Sequence, residues 1–355
     1  MSSRVASSAF HIPSLDGIRA CAFLLVFLGH AGVPGIPAGF GVTVFFFLSG
    51  YLITTLLRLE VERSGRIDFK AFYLRRTLRI LPPFYLVLSA GVLLTVSGLL
   101  PAPLQLRPVL SQALHYSNYW GVYHGFAGIA GGTAVYWSLA VEEHFYAIFP
   151  ALYALLLRVN CSRHRQRAAF LAICCGVLAW RCILKFYFHV HNDRTYLATD
   201  TRLDSMLFGC ALAVAGNPAL GDRPAKPSSF LKWSLLAAAL LFVLSFTVRD
   251  DRFRETVRYT MQGIALYPLF YAAVRFPGWG VFRLLDGRLL GFVGKLSYSL
   301  YLVHGMVLAL LEHWCASLGQ ALRGPPALAI SLGVAWLIWL GIEKPAARLR
   351  RRLEH

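Results

Sequence analysis

The sequence predicts an all-α membrane protein: one bundle of about ten transmembrane helices with both chain ends on the cytoplasmic side. Of its 355 residues, 57% are hydrophobic and 15% are charged, whereas soluble domains carry about 25% charged residues. Apolar stretches of about 20 residues, the length that crosses a bilayer, recur along the whole chain. The net charge of +18 comes from basic residues between these stretches, a pattern typical of cytoplasmic loops. We therefore expect the lipid bilayer as a partner and no nucleic acid.

The apolar stretches predict ten spans. They are 15–33, 39–57, 80–100, 136–157, 168–190, 203–216, 233–248, 259–274, 296–316 and 326–343. The first carries Asp16 and Arg19 at its start and no cleavage pattern follows it, so we expect a retained helix and not a signal peptide. Glu343-Lys344-Pro345 is expected to end the last helix.

Loop charges predict the orientation. With the N-terminus inside, the inside segments carry 25 Lys and Arg residues, counting Arg19 at the inner start of the first span, and the outside loops carry 8, which favours N-in and C-in. Segment 249–258 is the exception, because four arginines alternate there with Asp250, Asp251 and Glu255. It is either a genuine outside loop whose charges partly cancel or a local error in the topology.

The seven cysteines show no CxxC motif and no zinc-type spacing. Five of them lie in apolar runs, where cysteine usually packs as a small apolar residue. We expect no metal site.

The first span places Arg19 and His30 eleven residues apart. Eleven residues make about three helical turns and about 16 Å of rise, so both side chains project from one face. A titratable group inside a membrane helix usually marks function. His30 is a candidate catalytic base, and the alternative is a structural histidine bonded to a neighbouring helix.

Three arginines cluster in the segment F-K-A-F-Y-L-R-R-T-L-R-I-L-P-P. Arg76 and Arg79 share a helix face, with Arg75 beside them. The planar fork of donors on arginine suits phosphate. The cluster therefore either binds a phosphorylated cofactor or anchors the chain to anionic lipid headgroups.

The fourth span carries Glu142 and Glu143 within an apolar run. Ser138, Glu142 and Tyr146 recur every four residues and form a polar stripe. Glu142 is expected at a depth similar to His30, where a carboxylate could orient the imidazole. The alternative is an ion pair between helices, with Arg181, Lys185 or Arg202.

Two further groups are candidates for substrate contacts. Tyr301 and His304 share a face of the ninth span with Ser297, although hydroxyls at such interfaces are often structural. Arg202 and Asp204 form either a salt bridge with each other or a contact to an acceptor.

Taken in order, seven segments resemble the acyltransferase 3 family of membrane O-acyltransferases. They are S-L-D-G-I-R followed by His30, F-F-F-L-S-G-Y-L-I, L-R-R-T-L-R-I-L-P, W-S-L-A-V-E-E-H-F-Y, R-L-D-S-M-L-F-G, L-S-Y-S-L-Y-L-V-H and E-K-P, and they extend from residue 14 to 345. The resemblance implies a single acyltransferase 3-like transmembrane domain over residues 1–355. Some relatives carry a fused extracytoplasmic hydrolase-like domain, and we expect none here because the chain stops soon after its last helix.

The resemblance also implies residue roles. Arg19 and His30 match the family's Arg-x10-His motif, in which the histidine is essential for catalysis. Arg76 and Arg79 match its Arg-x-x-Arg motif, which contacts acyl-CoA. Glu142 falls in a functional segment, and Glu143 is an adjacent candidate.

These observations predict an enzyme of a bacterial inner membrane that moves acetyl, or another short acyl group, from acyl-CoA to a carbohydrate or glycolipid hydroxyl. Acyl-CoA would be a co-substrate, with no permanently bound cofactor. His30 would accept the hydroxyl proton, since free imidazole has a pKa of about 6.5; in a variant route it carries the acyl group itself. Buried His, Glu and Arg side chains also suit a proton-coupled transporter. A non-catalytic membrane scaffold explains them poorly.

Overall fold

The computed structural model describes residues 11–221 and 226–352, and all regular secondary structure within those ranges is helical. The prediction of an all-α protein is confirmed for this part of the chain. The helices are α1 (Pro13–His30), α2 (Ala38–Ser64), α3 (Phe69–Val96), α4 (Leu106–Ala113), α5 (Ser117–His124), α6 (Trp137–Arg158), α7 (Arg163–Cys182), α8 (Asn192–Leu197), α9 (Thr199–Val214), α10 (Ser229–Thr247), α11 (Asp251–Glu255), α12 (Val257–Arg275), α13 (Arg288–Trp314), α14 (Gln320–Ile338) and α15 (Lys344–Arg352).

Seven helical segments within the described ranges are long and apolar enough to cross a bilayer. They are 38–64, 69–96, 134–158, 163–187, 229–247, 288–314 and 322–350. The other three predicted spans correspond to α1, α9 and α12, which are not among these seven. Helix α9 has only 16 residues, of which all but two are buried. Length and hydropathy therefore support seven of the ten predicted crossings.

Helices α1 and α13 run parallel and in contact, and glycine makes this possible at one end. A Cβ atom at Gly294 would lie 2.0 Å from the carbonyl oxygen of Asp16. Near the other end of the same pair, His30 is hydrogen-bonded to His304. Small residues let helix backbones approach closely, so these contacts fix α13 along the face of α1 that carries His30.

Helix α2 packs on α1 on one side and on α9 on the other. Its contact with α9 is also very close, because Cβ atoms at Gly50 and Gly209 would each lie 2.0 Å from a carbonyl oxygen of the facing helix. Beyond the end of α9, Asn217 is hydrogen-bonded to Tyr51 and Thr55 of α2. Helix α2 is thus held firmly at the centre of the bundle.

The last helix does not end at Glu343-Lys344-Pro345, so that expectation was wrong. A π-helical turn at Trp339–Glu343 is followed directly by α15, which continues to Arg352. Pro345 is the second residue of α15, in the first turn. Because the π turn runs into α15 without a break, Pro345 removes one backbone donor from a continuous helix, and the wider π turn adjusts the backbone ahead of the proline ring.

Candidate active site

Residues from α1, α2, α3, α6 and α13 line a cavity of about 90 Å³, here called the central cavity. Its polar lining residues are Arg19, Ser49, Arg76, Arg79, Ser138, Glu142, Glu143, Tyr146, Ser297, Tyr298 and Tyr301. Six of the predicted site residues are among them, although they are spread over almost 300 positions of the chain. The fold therefore brings together arginine, carboxylate and hydroxyl groups that the sequence places on separate helices.

Arg76 and Arg79 line the central cavity without a fixed partner. Neither guanidinium group forms a hydrogen bond or an ion pair with the residues that the structure describes. The Arg76 guanidinium instead lies over the Tyr146 ring, 5.1 Å from its centroid. Arg19 also lines the cavity, and it is hydrogen-bonded to Asp16. Two uncommitted guanidinium groups in one cavity can receive the oxygens of a phosphorylated ligand.

Arg75 points in a different direction from its two neighbours. Its guanidinium donates to Glu60 of α2 over 2.7 Å, and Arg75 does not line the central cavity. Successive helical positions differ by about 100°, which carries Arg75 away from the face that Arg76 presents. The cofactor contact of Arg75 stays a prediction that this geometry does not favour.

Glu142 is held by hydroxyl groups. The Ser49 hydroxyl donates to a Glu142 oxygen over 2.5 Å, and Tyr146 donates to Ser49 over 3.0 Å. The alternative of an ion pair with Arg181, Lys185 or Arg202 is wrong. Arg181 binds Asp204, Lys185 binds Asp251, and Arg202 has no carboxylate within 4.0 Å among the described residues.

Ser49 was missed as a site residue, although the motif F-F-F-L-S-G-Y contains it. One hydroxyl in an otherwise apolar helical run was the available signal. Its role depends on Glu142 in α6, 93 residues away.

His30 is paired with His304 and not with Glu142. The His30 Nδ1 and His304 Nε2 atoms are 3.0 Å apart, and the two rings are nearly parallel with centroids 5.3 Å apart. The expectation that Glu142 orients His30 therefore finds no support in the contacts. His304, predicted as a substrate contact, is fully buried and instead lies behind His30.

The hydrogen-bond partners assign the tautomers of this pair. His304 Nδ1 lies 2.8 Å from the carbonyl oxygen of Tyr301. A carbonyl only accepts, so Nδ1 carries the proton and the Nε2 atom of neutral His304 is an acceptor. His30 must then donate from Nδ1. Its Nε2 atom is left with a free lone pair, which is the state that a general base requires.

The central cavity stops short of His30, which is exposed and does not line it. Tyr301 forms the wall between them: its hydroxyl is 2.7 Å from Ser138 in the cavity lining, and its ring centroid is 5.5 Å from that of His304. A reaction that used both His30 and the arginines would need this wall to open.

Asp204 does not line the central cavity. Both of its oxygens receive hydrogen bonds from Arg181, over 2.9 and 2.6 Å, and both side chains are fully buried. The predicted bridge between Arg202 and Asp204 is absent because Arg181 occupies that carboxylate. An acceptor contact at Asp204 stays a prediction that these bonds do not favour.

Comparison with known proteins gives an independent result. The chain is 31% identical to a protein of Staphylococcus aureus strain COL that is provisionally named an O-acetyltransferase, over 86% of this chain and 52% of that protein. It is 29% identical to the peptidoglycan O-acetyltransferase OatA of Listeria monocytogenes, over 84% and 50% of the two chains. The chain thus spans about half the length of these curated relatives. No solved structure gives a significant match.

The family model of the acyltransferase 3 family, described as an acyltransferase domain, matches residues 12–340. That range contains every residue of the central cavity, together with His30 and His304. The apolar helices and the bacterial relatives make it a multi-pass membrane protein of bacterial type. The chain belongs to the acyltransferase 3 family.

Proposed function

We propose that the chain moves an acetyl or similarly short acyl group from acyl-CoA to a hydroxyl of a cell-envelope polysaccharide, in a bacterial inner membrane. In this proposal α1, α9 and α12 also cross the bilayer, giving ten crossings with both ends inside. The observation that carries the proposal is the layout of the central cavity. Arg19, Arg76 and Arg79 line it, and Tyr301 closes it next to the His304–His30 pair.

The arginines would hold the donor. Arg76 and Arg79 are uncommitted cations, and phosphate oxygens accept readily from guanidinium groups. The nucleotide end of acyl-CoA would bind at Arg79, which is exposed, and the thioester arm would extend toward Tyr301. A cavity of about 90 Å³ has room for only a few water-sized groups, which supports a short acyl group.

His30 would supply the base. Its Nε2 lone pair would accept the proton of the acceptor hydroxyl while that oxygen bonds to the thioester carbon, and the carbon–sulfur bond would then break. The imidazolium that forms keeps its Nδ1 hydrogen bond to His304 and returns the proton to the departing thiolate. The net change is one ester formed, one thioester broken and one thiol released.

Arg76→Ala and Arg79→Ala test the donor site. Each should weaken acyl-CoA binding about tenfold or more, because each loses a charge-assisted hydrogen bond. Arg75→Ala is the matched control, since Arg75 belongs to the same segment but binds Glu60. Acyl-CoA affinity equal to that of Arg75→Ala in both variants would assign the cluster to lipid anchoring.

His30→Ala tests the reaction. It should lower acyl transfer by about 10²- to 10⁴-fold, the usual contribution of a general base, while acyl-CoA binding is retained. His313→Ala is the control, since His313 is an exposed histidine near the C-terminal end of α13, the half of that helix that also carries His304. Transfer by His30→Ala at the wild-type rate would remove His30 from the mechanism.

A transport assay tests the alternative function. Flux of a substrate into liposomes without acyl-CoA turnover would favour a transporter.

A further inference from the structure

A second cavity of about 500 Å³ lies beside the end of α1 that carries His30, and we call it the rim cavity. Its walls are the segment 35–40 ahead of and within the start of α2, the ends of α8 and α10, and the region 249–262. The volume falls within the usual range for a ligand site, about 300 to 1,000 Å³. No residue of the central cavity lines the rim cavity.

The rim cavity has more uncommitted positive than negative charge. Arg249 and Arg254 line it, and neither side chain forms a hydrogen bond or an ion pair within the described part of the chain. Of its two carboxylates, Glu255 is buried and accepts from Thr195 and Tyr259, while Asp193 lies 3.2 Å from His191. The arginines are therefore left to interact with a ligand.

Arg202 adds a buried cation behind this cavity. Its side chain is fully buried, and its Nε and Nη1 atoms have no hydrogen-bond partner among the described residues. Its guanidinium lies over the rings of Tyr259 and Tyr196, 4.1 and 5.4 Å from their centroids. Both tyrosines line the rim cavity. A buried charge without a counter-ion is costly, so an anion that came near would be bound.

Arg202 also adjoins the central cavity. Its guanidinium lies 5.5 Å from the ring centroid of Phe46, which lines that cavity. It therefore occupies the partition between the two cavities. Arg202 and the arginines of segment 249–258 lie on the side predicted to be outside, where the positive-inside pattern disfavours basic residues. A ligand of opposite charge would account for their presence there.

We propose that the rim cavity is the acceptor site, and that it selects a glycan bearing a carboxylate or phosphate group. This inference rests on the proposed function, whose acceptor it specifies. Arg249 and Arg254 bind the anionic group, the partly exposed Tyr196 provides a ring surface for a sugar, and Arg202 attracts the negative charge toward the partition.

The test measures glycan binding to the purified full chain in lipid nanodiscs. Three probes are compared: an oligosaccharide with uronic acid residues, the same oligosaccharide with its carboxyl groups reduced to alcohols, and a sugar phosphate. The variants are Arg249→Gln and Arg254→Gln. Arg252→Gln is the matched control, since Arg252 is on α11 like Arg254 but stacks on Phe186 and does not line the cavity.

We expect the wild-type chain and Arg252→Gln to bind an acidic probe at least tenfold more tightly than the reduced one. Arg249→Gln and Arg254→Gln should each lose about tenfold for the acidic probe alone, and the preference should weaken with salt. Arg202→Lys should retain more of the preference than Arg202→Met. The carboxylate and the phosphate probe identify which anion is selected.

Three results would overturn the inference: equal binding of acidic and reduced probes, no binding of any probe, or equal affinities in the rim variants and Arg252→Gln. Acyl-CoA binding is measured on the same samples. Donor binding without acidic-glycan preference removes this inference alone, whereas glycan preference without donor binding removes the proposed donor and leaves the rim cavity as an anionic-glycan site.

Discussion

His30 and His304 share a hydrogen bond of 3.0 Å although 274 positions separate them in the chain. His304 is anchored at Nδ1 by the carbonyl oxygens of Tyr301 and Leu300. It can therefore only accept from His30, which fixes the tautomer of His30. In this arrangement His304 is a positioning residue, since it acts on the reaction through His30.

His304→Ala should lower the acyl-transfer rate constant kcat by about 10- to 100-fold, by analogy with metal-bound histidines that lose the hydrogen-bonded partner orienting them. The KM for acyl-CoA should change little, and the pH dependence of kcat should shift. His304→Gln, whose amide can both accept from His30 and donate to a carbonyl, should recover part of the rate. Wild-type kcat and pH profile in His304→Ala would show that His304 only packs.

Tyr301→Phe should open the wall between the central cavity and His304. It removes the hydroxyl that contacts Ser138 and the carbonyl oxygen of Val135. One hydrogen bond contributes about 1 kcal/mol to the closed state. Its loss should therefore raise the fraction of molecules with an open wall about fivefold. We expect acyl-CoA hydrolysis without acceptor to rise several-fold, measured as thiol release.

Tyr136→Phe is the control for that variant. Tyr136 also bonds across to α13, at the carbonyl oxygen of Leu302, but it does not line the central cavity. Equal hydrolysis by the two variants would argue that the wall is not the barrier.

Asp204→Asn should destabilise the fold strongly, because it leaves the buried Arg181 without its counter-ion. Such a loss costs about 3–5 kcal/mol, and the melting temperature in detergent should fall accordingly. Asp251→Asn is the control: Asp251 pairs with Lys185 and is 55% exposed, so it should cost at most about 1 kcal/mol. A small loss in Asp204→Asn, accompanied by lost glycan binding, would return Asp204 to the acceptor site.

The order of the helices could be predicted from the sequence because each span is a local feature, readable from composition alone. The grouping of Arg19, Arg76 and Glu142 could be anticipated because buried ionisable groups avoid lipid and face the bundle interior. The structure places all three in the central cavity. Their roles in binding and catalysis stay predictions.

Specific partners could not be predicted, because they depend on how the helices are rotated and packed. Two facing helices, not composition, decide that Asp204 binds Arg181 and leaves Arg202 unpaired. Likewise, Arg75 and Arg76 are adjacent in the sequence, but Arg75 binds Glu60 on the neighbouring helix whereas Arg76 lines the central cavity. The partnership of His30 with His304 required the parallel packing of α1 and α13.

Gly50→Ala and Gly209→Ala should disrupt the contact between α2 and α9. In each case the new Cβ atom would lie 2.0 Å from a backbone carbonyl oxygen, of Met206 or Phe47 respectively. Backbone cannot yield as a flexible side chain does, so the helices must separate. We expect a clear fall in melting temperature for both variants.

Gly176→Ala is the matched control, because Gly176 is also helical and its Cβ would meet no atom within 4 Å. That substitution should be neutral or stabilise the helix by up to about 1 kcal/mol. Melting of Gly50→Ala and Gly209→Ala at the same temperature as Gly176→Ala would contradict the close packing.

Separation of α2 from α9 should also lower the rate of acyl transfer at temperatures where the variants stay folded. The reason is that Arg202 of α9 donates to Thr43 of α2 over 3.0 Å, so the spacing of these two helices sets the partition between the central and rim cavities.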